Sequence, residues 1–123
     1  MIYIHVPFCR SFCTYCDFYS EICPERKSAE VQKLFVDRVI EEIDRRSDEI
    51  LAAAEPRTLY VGGGTPSVLA PGLLAEMVGH LKQVTGWTGF DEFTVEVNPE
   101  DVTPALARDL ASMGVNRVSM GVQ

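Results

Sequence analysis

Three cysteines lie within eight residues of the stretch HVPFCRSFCTYCDFYS, residues 5–20, with aromatic side chains between them. The spacing C-x3-C-x2-C places three thiolates on one loop, where they can hold three corners of a small iron–sulfur cluster. Cys9, Cys13 and Cys16 would then bind three irons of a [4Fe–4S] cluster. No fourth cysteine follows at a matching interval, so the fourth iron would stay open for a substrate or cofactor, as catalytic metal sites keep an open position.

The spacing alone leaves other uses of these thiols open. A structural zinc ion could be held by the same three cysteines with His5 or Cys23 as the fourth ligand, or the thiols could form a disulfide or be inert. Four cysteines would suit two disulfides in a secreted protein, but a reducing cytosol favours metal ligation or redox chemistry. We interpret Cys23, which precedes Pro24 and lies off the cluster spacing, as a residue outside the ligand set.

A second stretch, YVGGGTPS at residues 60–67, places three glycines directly after an apolar run typical of a buried strand. Ligands bind at the C-terminal edge of parallel sheets, and glycines there leave backbone amides and carbonyls reachable. The stretch matches neither a Walker A loop nor a G-x-G-x-x-G fingerprint. It indicates either a ligand-binding edge or a tight strand-to-helix turn, and the spacing alone leaves both open.

An acid and an amide follow the third predicted strand in EVNPE, residues 96–100, just before a proline that ends the strand. Glu96 stands between Val95 and Val97, so its side chain points to the opposite face of the sheet. In a barrel that face is the interior, where a carboxylate is costly unless it binds something. The alternative is an exposed glutamate at a strand end.

Seven segments of the chain have the pattern of regular secondary structure. Apolar spacing predicts strands at 2–6, 57–61 and 93–97, a fourth beginning at 117, and amphipathic helices at about 28–54 and 73–84. Thr103 followed by Pro104, with Gly114 beyond, has the capping pattern of a third helix. The order β-α-β-α-β-α-β predicts an α/β fold with a parallel sheet, which we expect to be buried on both faces.

The composition is that of one globular domain, with 46% hydrophobic and 24% charged residues among 123. A formal charge of −7 would repel phosphate backbones and anionic membrane surfaces, so we expect no nucleic-acid partner. No apolar run approaches the roughly 20 residues that span a bilayer, and the first residues lack the basic region of a signal peptide. We therefore expect a cytoplasmic protein without an integral membrane segment.

The C-terminal end of the chain suggests an incomplete fold. A fourth parallel strand near Gln123 has no following helix to cover it and no fifth strand to pair with its outer edge. We therefore expect residues 1–123 to be one unit, truncated at the C-terminus, that forms the N-terminal portion of a larger sheet or barrel.

Four motifs occur in order along the chain: YIHVPFCRSFCTYCDF, GGGTPS, EVNPE and SMGVQ. In this combination the chain resembles the radical S-adenosylmethionine superfamily, and more closely the branch of the oxygen-independent coproporphyrinogen III oxidases and their haem-chaperone relatives. The resemblance implies a partial (β/α)6 barrel, of which this chain would form the first half, about four β/α units. It also implies that S-adenosylmethionine (SAM) chelates the iron that the three cysteines leave open.

The same resemblance implies a set of SAM contacts and assigns no catalytic side chain. Glu96 would hydrogen-bond the cofactor, which agrees with the inward direction deduced from its valine neighbours. The position of Gln123 lies near a second SAM in the porphyrinogen oxidases. The implied cofactor-binding residues are Tyr3, Tyr15, Gly63, Gly64, Thr65, Glu96 and Gln123.

One departure from the family pattern bears on the branch. The porphyrinogen oxidases typically carry another cysteine two residues after the third ligand, and here that position is Phe18. This difference favours a haem chaperone, which would bind haem or a porphyrin, pass haem to accepting proteins and use an electron donor. The alternatives are radical decarboxylation of coproporphyrinogen III, as in the oxidases, and a structural zinc domain.

Overall fold

Four parallel strands form one sheet in the computed structural model, which describes residues 1–7, 25–52, 56–64, 66 and 69–120. The strands are β1 (Ile2–Val6), β2 (Thr58–Gly63), β3 (Glu92–Val97) and β4 (Arg117–Met120). They pair in sequence order, β1-β2-β3-β4, and every pair is parallel. The predicted strands and the parallel α/β fold are confirmed, because helical crossovers return the chain to the same edge of the sheet before each new strand.

The helices connect the strands. They are α1 (Glu25–Arg45), α2 (Ser47–Ala52), α3 (Pro71–Thr85) and α4 (Pro104–Met113), with a short 3₁₀ turn at Pro99–Asp101 before α4. In the described ranges, none of the helices combines the length and apolar character needed to cross a bilayer.

The single helix expected at about 28–54 is wrong in its bounds, since it begins earlier and is divided at Arg46. The break is local: the Arg46 amide still donates to the Glu42 carbonyl at 2.9 Å, and the Arg46 carbonyl accepts from Ile50 at 2.9 Å. Two acidic residues stand in the first turn of α2, where they interact favourably with the helix dipole. The chain can therefore begin a new helix at Ser47 although the apolar pattern of the sequence continues across the break.

The face that α1 turns to the core differs in part from its apolar pattern. Val36 and Ile43 are buried, but Leu34 is exposed to solvent. The polar Gln32 is buried instead, and its side-chain carbonyl accepts a hydrogen bond from the Ala70 amide at 3.2 Å. That bond satisfies a buried polar group and fixes the chain just before α3.

The hydrophobic core lies between the helices and one face of the sheet. Its strand residues alternate with residues of the other face, as the two-residue period of a strand requires. The core members from the strands are Ile4, Val6, Leu59, Val61, Phe93, Val95 and Val97, and those from the helices include Val36, Ile43, Leu74, Met77, Val78, Leu81, Leu110 and Met113. All three longer helices therefore cover the same face.

The opposite face, which we call the polar face, carries a different set of side chains. Strand register places its members in adjacent rows: Tyr3, His5, Tyr60, Gly62, Thr94, Glu96, Arg117 and Ser119. Tyr3 and His5 are exposed, although Thr94 is buried by its neighbours. The expectation of a sheet buried on both faces is wrong for the described residues, because the helices pack on one side only.

Both ends of α4 have the predicted caps. The Thr103 side chain accepts a hydrogen bond from the Leu106 amide at 3.1 Å, Pro104 follows at the first helical position, and Gly114 ends the helix at a φ of 97°. A threonine cap satisfies one of the amides that the first turn leaves free, and glycine adopts the left-handed conformation at little cost.

We expect Thr103→Ala to lower the free energy of unfolding by about 1 kcal/mol, because the Leu106 amide would lose its partner. Urea denaturation followed by circular dichroism would measure the change. The matched control is Thr88→Ala, at an exposed threonine in the loop after α3. Equal losses in the two variants would contradict a capping role for Thr103.

Candidate functional site

Four of the residues predicted to bind the cofactor lie in the described part of the chain: Tyr3, Gly63, Gly64 and Glu96. They come from three adjacent strands and the turn that follows β2. The remaining predicted site residues lie outside the described residues: Cys9, Cys13, Cys16, Tyr15, Thr65 and Gln123, together with Cys23 and Phe18.

The Glu96 carboxylate lies at the centre of the described part of the site. Its direction follows from its neighbours, because Val95 and Val97 are buried in the core and Glu96 must point to the polar face. One carboxylate oxygen, Oε2, accepts a hydrogen bond from the Tyr60 hydroxyl at 2.7 Å. The other oxygen, Oε1, accepts from the Gly63 amide at 2.9 Å. Both oxygens of a half-buried carboxylate are thus held by separate donors.

Gly62 provides the space in which this carboxylate sits. A Cβ at this position would lie 2.5 Å from Glu96 Oε1 and 2.7 Å from Tyr60 Cε1, closer than real side chains approach. Sequence analysis assigned cofactor contacts to the two following glycines and missed Gly62. The sequence did contain a signal for Gly62. It lies two residues after Tyr60 on the same strand, so the two residues share the polar face of the sheet.

Gly63 and Gly64 join β2 to β1 at the same edge. The Gly64 amide donates to the Val6 carbonyl at 2.8 Å, and Gly63 adopts a φ of 116°, which is accessible chiefly to glycine. A Cβ on Gly63 would lie 2.8 Å from both the His5 ring and the Val6 carbonyl oxygen. These contacts show that Gly63 and Gly64 lie against the end of β1, while a tight strand-to-helix turn and contact of the two glycines with a cofactor both stay predictions.

Tyr3 presents an aromatic ring to solvent beside the carboxylate. Half of its surface is exposed, and its ring stacks on that of Tyr60 with centroids 5.7 Å apart and planes inclined by 20°. Its hydroxyl lies 3.3 Å from Nδ1 of His5. An exposed ring next to a fixed carboxylate can contact the flat or apolar part of a ligand whose polar donors bind Glu96.

Tyr60 was not predicted as a site residue, yet it connects Tyr3 and Glu96. Its hydrogen bond to the Glu96 carboxylate, with burial as a second cause, raises the pKa of Tyr60 above its ordinary range, and a nearby Ser119 hydroxyl opposes part of this shift. A neutral phenol keeps its proton beside a carboxylate because ionising it would remove the hydrogen bond and place two negative charges together. Tyr60 is therefore a hydrogen-bond donor at neutral pH.

Comparisons with known proteins agree on one family. The Radical SAM superfamily profile matches residues 3–123. The "Heme chaperone HemW" of Lactococcus lactis is 36% identical over 121 residues, which are 98% of this chain and 30% of that protein. The "Coproporphyrinogen III oxidase, anaerobic 1" of Cereibacter sphaeroides is 30% identical over 122 residues, 99% of this chain and 26% of that protein.

A solved structure shares the fold. It is the coproporphyrinogen III oxidase HemN from Escherichia coli, described as a Radical SAM enzyme, with a TM-score of 0.76 and 27% identity over 99% of this chain. The match covers 27% of the HemN chain. The present chain thus spans less than a third of the length of these relatives.

Proposed function

The chain belongs to the Radical SAM superfamily, and we propose that it is the N-terminal part of a haem chaperone that binds a [4Fe–4S] cluster and SAM. Membership of the family implies an iron–sulfur cluster and SAM in general, and the names of the relatives connect this sequence with haem and porphyrins. Haem as the bound molecule, haem-accepting proteins, an electron donor and a cytoplasmic location are parts of the proposal.

The described residues fit a SAM molecule in chemical terms. Glu96 still has acceptor capacity, because each carboxylate oxygen has a second lone pair beyond the one used by Tyr60 or Gly63. SAM carries amino and hydroxyl donors that such an acceptor can bind. The exposed ring of Tyr3 adds an apolar surface next to it. These residues would orient the cofactor and help to exclude water from one side of it.

The cluster would be held by the thiolates of Cys9, Cys13 and Cys16, which lie in the sequence between β1 and α1. Cluster and SAM, when bound together, supply radical chemistry that begins with a one-electron reduction. The contribution of this chain would be to leave one iron open and to present the Tyr3 ring on β1 and the Glu96 carboxylate on β3 of the same sheet.

The observation that carries the chaperone assignment is Phe18, which stands where the porphyrinogen oxidases typically have a further cysteine. The chaperone HemW of Lactococcus lactis is also more similar to this chain than the oxidase of Cereibacter sphaeroides, at 36% against 30% identity. Oxidation of coproporphyrinogen III is the alternative function, supported by the structural match to HemN.

Electron paramagnetic resonance is the first test. The full chain would be reconstituted with iron and sulfide without oxygen, reduced, and measured with and without SAM. We expect a [4Fe–4S] signal that changes when SAM is added, because SAM would bind the open iron. A cluster signal that does not change when SAM is added would contradict the prediction of an open iron. Bound zinc without iron would support a structural zinc domain.

Haem binding separates the chaperone from the oxidase. We expect the protein to bind haem, seen as a shifted Soret band, and to transfer it to an apo-haem protein, while coproporphyrinogen III stays unconsumed under anaerobic turnover conditions. Formation of protoporphyrinogen IX by the wild-type protein would instead establish the oxidase function.

A further inference from the structure

We propose that Tyr60 is a positioning residue for the cofactor site: its hydroxyl holds the Glu96 carboxylate in the orientation that accepts hydrogen bonds from SAM. The inference rests on the proposed function, because it assumes that Glu96 meets SAM. It adds a residue to which the sequence analysis gave no role, and it is carried by contacts on the polar face.

The first step of the argument is that Glu96 is held at both oxygens. Tyr60 holds Oε2 at 2.7 Å and the Gly63 amide holds Oε1 at 2.9 Å, so a rotation of the carboxylate would break two hydrogen bonds. A free glutamate side chain samples many rotamers and loses that freedom when a ligand binds. Fixing the carboxylate before binding removes this cost and improves affinity.

The second step is that Tyr60 is itself fixed. Its ring stacks on Tyr3, and the absence of a side chain at Gly62 leaves room for both the ring and the carboxylate. Tyr60 lies on β2 and Glu96 on β3, which are paired with Tyr60 opposite Thr94. The hydroxyl therefore reaches the carboxylate diagonally across two rigid strands, a better support than a loop.

The third step concerns protonation. The raised pKa of Tyr60 keeps its hydroxyl protonated throughout the neutral range, so it donates to the Glu96 carboxylate. The surrounding groups on the polar face agree with this assignment: His5 contacts the hydroxyl of Tyr3, and Arg117 pairs with Glu92 at 2.8 Å rather than with Glu96. Within the part of the chain that the structure describes, Tyr60 supplies the side-chain hydrogen bond to Glu96.

A double-mutant cycle on SAM affinity tests the inference. In the full chain with its cluster, we expect Tyr60→Phe to weaken SAM binding about tenfold, since a hydrogen bond to a charged group is lost. The phenyl ring retains the stacking on Tyr3. In a Glu96→Ala background, Tyr60→Phe should have no further effect, because a positioning residue acts only through its partner. Thr94→Val, a hydroxyl deletion in the same row of the sheet, is the control and should change affinity less than about twofold.

The outcomes separate the inference from the proposed function. Absence of SAM binding by the wild-type protein would overturn the proposed function and this inference with it. Normal binding by Tyr60→Phe, or losses in Tyr60→Phe and Glu96→Ala that simply add, would overturn the inference alone.

A second measurement needs neither cofactor nor a Tyr60 variant. Carbon-13 labelling of tyrosine Cζ allows each phenol to be titrated by NMR. We expect one tyrosine to ionise above the ordinary range in the wild-type protein and to move back towards it in Glu96→Gln, because the carboxylate is the main cause of the shift. An identical titration in Glu96→Gln would show that the contact is absent in solution and would overturn the inference.

Discussion

Alanine at Cys9, Cys13 or Cys16 is expected to deprive the protein of its cluster. Each thiolate would bind a different iron, so removing one opens a second iron and lets the cluster lose metal. Loss of an outer partner of a metal ligand already costs about 10–100-fold in affinity, and loss of a ligand itself should cost more. Iron and acid-labile sulfide per chain, measured after anaerobic reconstitution, should fall to background in all three variants.

Cys23→Ala is the matched control for this prediction, since it removes a cysteine of the same segment that lies off the cluster spacing. Its iron and sulfide content should stay near that of the wild-type protein. If Cys23→Ala also loses its iron, Cys23 is a ligand and the three-cysteine assignment is wrong.

The second large effect is expected at Gly63. Alanine there would be forced into a backbone conformation with a φ of 116°, and its Cβ would lie 2.8 Å from the Val6 carbonyl oxygen. Backbone strain of about 1–3 kcal/mol and an overpacking cost of similar size indicate a loss of about 3 kcal/mol in the free energy of unfolding. Denaturant titration monitored by circular dichroism would measure it.

Gly79→Ala is the corresponding control. This glycine lies on the exposed side of α3, and a Cβ there would meet no heavy atom within 4 Å. Alanine is the better helix former, so this variant should be more stable than wild type by up to about 1 kcal/mol. Opposite signs at Gly63 and Gly79 are expected. A loss at Gly63 below about 1 kcal/mol would mean that the end of β2 can relax around the new side chain.

The sequence was sufficient for the strand order, the parallel sheet and the direction of Glu96. These follow from local rules: apolar runs separated by long helices, and the alternation that puts Glu96 opposite Val95 and Val97. The ends of α4 were equally readable, because the threonine cap and the glycine stop depend on neighbouring residues only.

The contact between Tyr60 and Glu96 could not be read in the same way. It depends on the register between β2 and β3, which places Tyr60 opposite Thr94 and brings its hydroxyl diagonally to Glu96. Register results from the packing of the whole sheet and cannot be predicted from the sequence of either strand alone. Gln32 was missed for a related reason, because its partner at Ala70 lies in a distant segment.

The expectation of two buried faces could have been corrected from β1 itself. Ile2, Ile4 and Val6 alternate with Tyr3 and His5, the pattern of a strand with one apolar and one polar face. A fully buried parallel strand would instead read as a continuous apolar run. The alternation within β1 therefore predicts its burial better than the general rule that parallel sheets are buried on both faces.

Because the helices pack on one face of the sheet, residues of its two faces are under different constraints. Core residues such as Phe93 and Leu59 are constrained by volume, since they fill space between helices and strands. The exposed Tyr3 and His5 alternate along β1 with the core residues Ile4 and Val6, and the exposed Arg117 lies on β4; none of these three exposed residues belongs to that core. A library randomised at these exposed positions would leave every core side chain in place, so altered ligand preference could be evolved on this scaffold while its folding is preserved.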